Sequence, residues 1–90
     1  MPLQIHPPAD ETLGKIQQAL EGAFEGARID VRGSGGHFEI RVTSPLFEGE
    51  SRLARQRRVY RAIAHLMKGD GAPVHAVDRL ETETPSPSPS

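Results

Sequence analysis

The sequence predicts one small α+β domain with the element order α-β-β-α-β. Three observations carry that expectation. Leu13, Ile16, Leu20 and Phe24 recur at steps of three and four, the stripe of an amphipathic helix. Two alternating segments flank the glycine-rich stretch Gly33-Ser34-Gly35-Gly36, the pattern of a β-hairpin. A second helical segment then precedes a short β-rich run, and a crossover of that length returns a strand parallel to one it has left.

The first helix is expected from Asp10 to about Glu25. Pro7 and Pro8 precede it, Asp10 or Thr12 offers a capping side chain, and Gly26 lies where a C-terminal glycine would end it. Gly14 and Gly22 weaken it modestly, because glycine loses more backbone freedom than other residues on becoming helical.

Arg28 to Arg32 and His37 to Thr43 are the hairpin strands. A period of two sends Ile29, Val31, Phe38, Ile40 and Val42 to the core. Arg28, Asp30, Arg32, His37, Glu39 and Arg41 fall on the other face, which an antiparallel pair can leave to solvent.

After Pro45 and Leu46-Phe47, the turn Glu48-Gly49-Glu50-Ser51 leads into the second helix, which ends near Lys68 before Gly69-Asp70-Gly71. At about 100° per residue, Val59, Ala62, Ile63, Leu66 and Met67 share one side, while Arg57, Arg58, Arg61 and His65 share the opposite one. Arg52 and Arg55 project toward the apolar side near the helix start, within reach of the sheet edge. The last strand is expected from Val74 to about Glu81. Residues 10–83 then form the domain, 1–9 a flexible N-terminus and 84–90 a disordered Pro/Ser tail with no apolar content.

Composition sets limits on function. A folded part of roughly seventy residues buries only about 60% of its unfolded surface and leaves little room for a deep cleft. With no cysteine, the chain has no disulfide, no thiolate nucleophile and no soft-metal site of its own. It carries no apolar run near the roughly 20 residues of a membrane span and no signal-like start, so a cytoplasmic protein without membrane contact is expected. The net charge is −1, yet Ser51 to Met67 contains five arginines and no acid. One surface is therefore expected to be basic.

The ordered motifs His37-Phe38-Glu39-Ile40, Ser44, Phe47-Glu48-Gly49, Leu53-Ala54-Arg55-Gln56-Arg57-Arg58-Val59-Tyr60 and Val74-His75-Ala76-Val77 resemble the BolA-like family, and its compact, short-loop subgroup in particular. The resemblance runs from the first helix to about Pro85. It implies an αββαβ fold of class II KH-like arrangement, with a three-stranded mixed sheet and the helices packed on one face. It also implies partnership with a CGFS-type monothiol glutaredoxin. In that assembly a 2Fe-2S cluster is held by the glutaredoxin cysteine, glutathione and a BolA-side histidine, with a loop residue as a further ligand; this chain alone holds no cluster.

His75 stands at the position of the family's histidine. Residue type alone would make a lone histidine a packed or solvated side chain in most proteins; the resemblance makes His75 the first candidate ligand. Where many relatives carry a cysteine or a further histidine in the hairpin loop, this chain has glycines and serine, which leaves His37 as the second candidate, beside a loop whose glycines would let its ring approach a cluster. His37 reads equally well as a polar side chain on the sheet face. A histidine ligand raises the potential of such a cluster and makes it proton-sensitive. Imidazole ligates as the neutral base and has a reference pKa of about 6.5, so cluster retention is expected to fall below roughly pH 6.

A DNA-binding transcriptional regulator is the alternative reading, with Arg55, Arg57, Arg58 and Arg61 as partner or nucleic-acid contacts. The run Gly33-Ser34-Gly35-Gly36 spells the G-x-x-G of KH domains, but there the motif joins helices and here it joins strands. Phe24, Phe38 and Phe47 fall in core positions, so no aromatic platform is left for stacking bases. An enzyme is the weakest reading: no nucleophile, base and orienting group are spaced as a motif, and Ser34 and Ser44 suit turns. The sequence leaves homodimerisation open.

Overall fold

A computed structural model describes residues 9–69 and 71–85, with side chains from Glu11 onward. The expected flexible start before Ala9, the Pro/Ser tail beyond Pro85 and Asp70 of the helix stop lie outside the described residues. The order is α1 (Ala9–Ala23), β1 (Arg28–Ser34), β2 (His37–Thr43), a 3-10 turn (Pro45–Phe47), α2 (Arg52–Met67) and β3 (Ala76–Glu83). The three strands form one mixed sheet in spatial order β1-β2-β3. β1 pairs antiparallel with β2, and β3 pairs parallel with it. Both helices pack on one face of that sheet.

Apolar periodicity explains the layer between them. Ile16, Leu20 and Phe24 descend from α1, Val59, Ile63 and Leu66 from α2, and Phe38, Ile40 and Val42 rise from β2, all buried. Ile29, Val31, Val77 and Leu80 from the two edge strands are half-buried against them. Phe47 closes one end, its ring 5.3 Å from that of Phe24 at 57°, a tilted contact that suits the aromatic quadrupoles.

Several boundaries differ from the periodicity. α1 begins at Ala9, so Asp10 and Thr12 lie inside its first turn and not at its cap. Phe24 and Gly26 (φ +78°) follow the helix, with the Ala27 N–H donating to the Phe24 carbonyl. β1 runs on to Ser34, which pairs with His37. The expected four-residue loop is thus a two-residue turn, Gly35-Gly36, with φ of +64° and +86°, the left-handed pair that matches the twist of a tight hairpin.

Ser51 caps α2, its hydroxyl accepting from Ala54 N–H at 3.1 Å. β3 starts two residues later than expected because Val74 serves another purpose: its side chain is buried and its N–H donates to the Leu66 carbonyl at the end of α2. Buried Ser44 caps the 3-10 turn, accepting from Leu46 N–H at 3.0 Å, and its own N–H reaches the Glu83 carbonyl. The turn role expected for Ser44 is the one it fills.

Candidate functional site: the His75 groove

His75 directly precedes β3, after Pro73 and the buried anchor Val74. The N–H groups of His75 and Ala76 both donate to the Gly36 carbonyl, at 2.8 and 3.0 Å. Those two bonds tie the segment to the hairpin turn. The imidazole lies against Gly36: a Cβ added to that glycine would sit 2.8 Å from both Cγ and Nδ1 of the ring. His75 is nevertheless exposed. It stands at the rim of an open groove whose walls include Glu11 and Lys15 of α1, Gly35 and Gly36 of the turn, and Gly71, with Phe38 also lining it. Glycine walls let another backbone or a bulky group approach closely.

The structure does not bring His37 into that groove. Phe38 faces the core, so its neighbour His37 falls on the opposite, open face of the sheet. There its Nδ1 lies 3.2 Å from Asp78 Oδ1. A bulge in the β2–β3 pairing accounts for this partner: Phe38 pairs with Val77 and Glu39 with Arg79, leaving Asp78 as the extra residue. The expected mobile loop is also absent, since the Gly35-Gly36 turn is closed by the Ser34–His37 pair. Among the described residues no three His, Cys, Asp or Glu side chains converge as a metal site.

The four arginines separate into two kinds. Arg55 turns inward, its Nε donating to the Glu50 carbonyl at 3.0 Å and its Nη1 to the Thr82 carbonyl at 3.3 Å. Its guanidinium also lies 5.8 Å from the Phe47 ring centroid. Arg58 donates Nε to both Glu50 oxygens, at 2.8 and 2.9 Å. That hydrogen bond holds the Glu50 carboxyl below the usual carboxylate range and pushes Arg58 up. Arg57 and Arg61 are exposed, with no side-chain hydrogen bond or ion pair among the described residues.

The open sheet face is charged but balanced. Asp30, Arg41 and Glu81 align across the three strands, as do Arg32, Glu39 and Arg79 with the signs reversed. Arg41 Nη2 lies 2.8 Å from Glu81 Oε1, and the hydrogen bond to Arg41 keeps the Glu81 carboxyl low. Opposite charges on neighbouring strands favour the pairing, and they leave this face without a phosphate-attracting excess.

Sequence reasoning singled out His75 but did not say what surrounds it. Its contact with Gly36, the α1 wall and the Asp78 partner of His37 all join residues far apart in the chain.

The family model described as BolA-like protein matches residues 16–87. The chain is 31% identical over 72 residues to the acid stress protein IbaG of Escherichia coli strain K12, covering 80% of this chain and 82% of IbaG. A BolA homologue from Coxiella burnetii superposes with a TM-score of 0.66 and 38% identity, covering 80% and 88% of the two chains. The solution structure of yeast Fra2 gives a TM-score of 0.55 at 26% identity, with 93% and 80% covered.

Proposed function

This chain belongs to the BolA-like family, and we propose that it is a cytoplasmic accessory protein that pairs with a CGFS monothiol glutaredoxin to hold a shared 2Fe-2S cluster. In this reading it serves iron-sulfur cluster assembly, trafficking or iron sensing, with His75 as its ligand. The observation that carries the proposal is the placement of His75: an exposed imidazole fixed at the rim of a glycine-walled groove. One nitrogen ligand and no cysteine fit half of a shared site. The thiolates come from the glutaredoxin and glutathione.

His75 alone is the ligand in this reading, because His37 lies across the sheet and is engaged with Asp78. When bound, the cluster supplies redox chemistry and transferable iron. This chain supplies an oriented imidazole and the docking surface around it. The BolA-like family is generally non-enzymatic, and an accessory role follows that pattern.

DNA binding is the weaker reading, for a reason of number. Arg55 and Arg58 are engaged internally, which leaves Arg52, Arg57 and Arg61 as the α2 arginines available to phosphates. Three neutralised phosphates give a salt slope near −3 and only weak, non-specific affinity.

The test is reconstitution of a CGFS glutaredoxin with iron, sulfide and glutathione, followed by visible circular dichroism with and without this protein. Wild type is expected to change the cluster spectrum and His75→Ala to abolish the change. A spectrum unmoved by the wild-type protein overturns the proposal.

A further inference from the structure

We propose that Gly36 is the positioning residue of His75: its missing side chain is the seat on which the imidazole lies, fixing the ring at the rim of the groove. The inference rests on the reading of His75 as a ligand and adds how the ring is held.

Two independent features define the seat. The Gly36 carbonyl accepts both the His75 and Ala76 N–H groups, so the backbone beneath the ring is fixed to the hairpin. The space a Cβ would fill at Gly36 is taken by the ring, with Cγ and Nδ1 at 2.8 Å and Cβ at 3.3 Å. Real side chains essentially never approach so closely, so any residue but glycine displaces the imidazole. The Cγ–Nδ1 side of the ring is therefore the part that rests on Gly36, at the rim of the groove.

The turn contains its own control. Gly35 has the same left-handed backbone, φ +64°, yet a Cβ there meets nothing within 4 Å. Alanine at either position strains the same two-residue turn. Only alanine at 36 also evicts the ring. A merely structural role for the glycines would make the two substitutions alike.

The experiment has an arm without any cluster. In the free wild-type protein, nuclear Overhauser contacts from the Gly36 α-protons are expected to the His75 ring protons. No such contact overturns the seat. Gly36→Ala is expected to shift the His75 ring resonances, whereas Gly35→Ala leaves them close to wild type. In the second arm, with the glutaredoxin and its cluster, Gly36→Ala is expected to weaken formation of the mixed complex about 10- to 100-fold, the usual cost of losing a ligand's orienting partner. The Gly35→Ala control is read on the ring of the free protein alone, and equal shifts of the His75 ring resonances by the two substitutions overturn the proposal.

Should Gly36→Ala unfold, Gly36→Asn replaces it, because asparagine tolerates the left-handed region while still carrying the intruding Cβ. The Asn variant must then show the displaced ring, or the proposal fails. If His75→Ala leaves the cluster spectrum unchanged, the ligand reading falls, while the contacts in the free protein still judge the seat.

Discussion

His37 and Asp78 meet on the open face of the sheet, Nδ1 to Oδ1 at 3.2 Å, on the side away from the groove that His75 borders. Two histidines that belong to adjacent strands in the sequence pattern are thereby given different surroundings. His37→Ala is expected to leave the cluster spectrum of the mixed complex as it is in wild type, whereas His75→Ala removes the change. Visible circular dichroism on the two variants side by side checks this. Loss of the signal in both would mean that the His37 ring reaches around the sheet end.

Arg55 is a structural residue. It joins Glu50, Thr82 and the face of Phe47, so it ties the start of α2 to β3. Arg55→Ala is expected to cost about 1–2 kcal/mol, given two charge-assisted hydrogen bonds to carbonyls and one cation–π contact in a half-buried setting. Arg57→Ala, at an exposed position, should stay within about 0.5 kcal/mol of wild type. Urea unfolding of the two variants measures the contrast.

Acid should weaken the fold in part through Glu50 and Glu81. Both carboxyls titrate lower in the folded protein than is usual, each chiefly through a hydrogen bond from arginine, Arg58 and Arg41 respectively. A depressed folded value gives stabilisation that is complete above the unfolded carboxylate pKa of about 4.3 and disappears as the pH falls through the folded one. Glu50→Gln and Glu81→Gln should therefore be less stable than wild type at pH 7, and the gap should narrow as the pH falls below the unfolded carboxylate pKa of about 4.3. Urea midpoints across that range test it; a gap that does not narrow with acid would show that the ion pairs are not its source.

DNA binding, where it occurs, should be shallow in its salt dependence. With Arg52, Arg57 and Arg61 as the α2 arginines without an ion-pair partner among the described residues, the logarithm of affinity should fall with the logarithm of salt at a slope near −3. Removing all three should bring the slope close to zero. A slope of −6 or steeper in a filter-binding or anisotropy titration would require a phosphate-contact surface far larger than α2 offers.

The core prediction follows from burial. Phe47 is fully buried, and Phe47→Ala is expected to cost about 3–5 kcal/mol, enough to unfold much of a domain this small. Leu53 on the outer side of α2 is 55% exposed, and Leu53→Ala should change stability by less than about 0.5 kcal/mol. Thermal denaturation separates the two.

The sequence by itself determined the element order, the core stripe of α1, the buried alternation of β2 and the position of His75. Each depends on spacing along a few turns or one strand, and short-range periodicity is written directly in the chain. It overreached where an element's end was decided by distant partners. β3 begins at Ala76 because Val74 donates to Leu66, and the glycine loop tightened because Ser34 pairs with His37. Tertiary structure alone decided which arginines are engaged, which face His37 occupies and that Gly36 seats the His75 ring. Apart from the arginine contacts to Glu50, which lies just before α2, those outcomes join residues tens of positions apart, fixed by β2–β3 register and by the packing of α2 on the sheet. No local pattern encodes a register, because it is the sum of every side chain that the shared core has to accommodate.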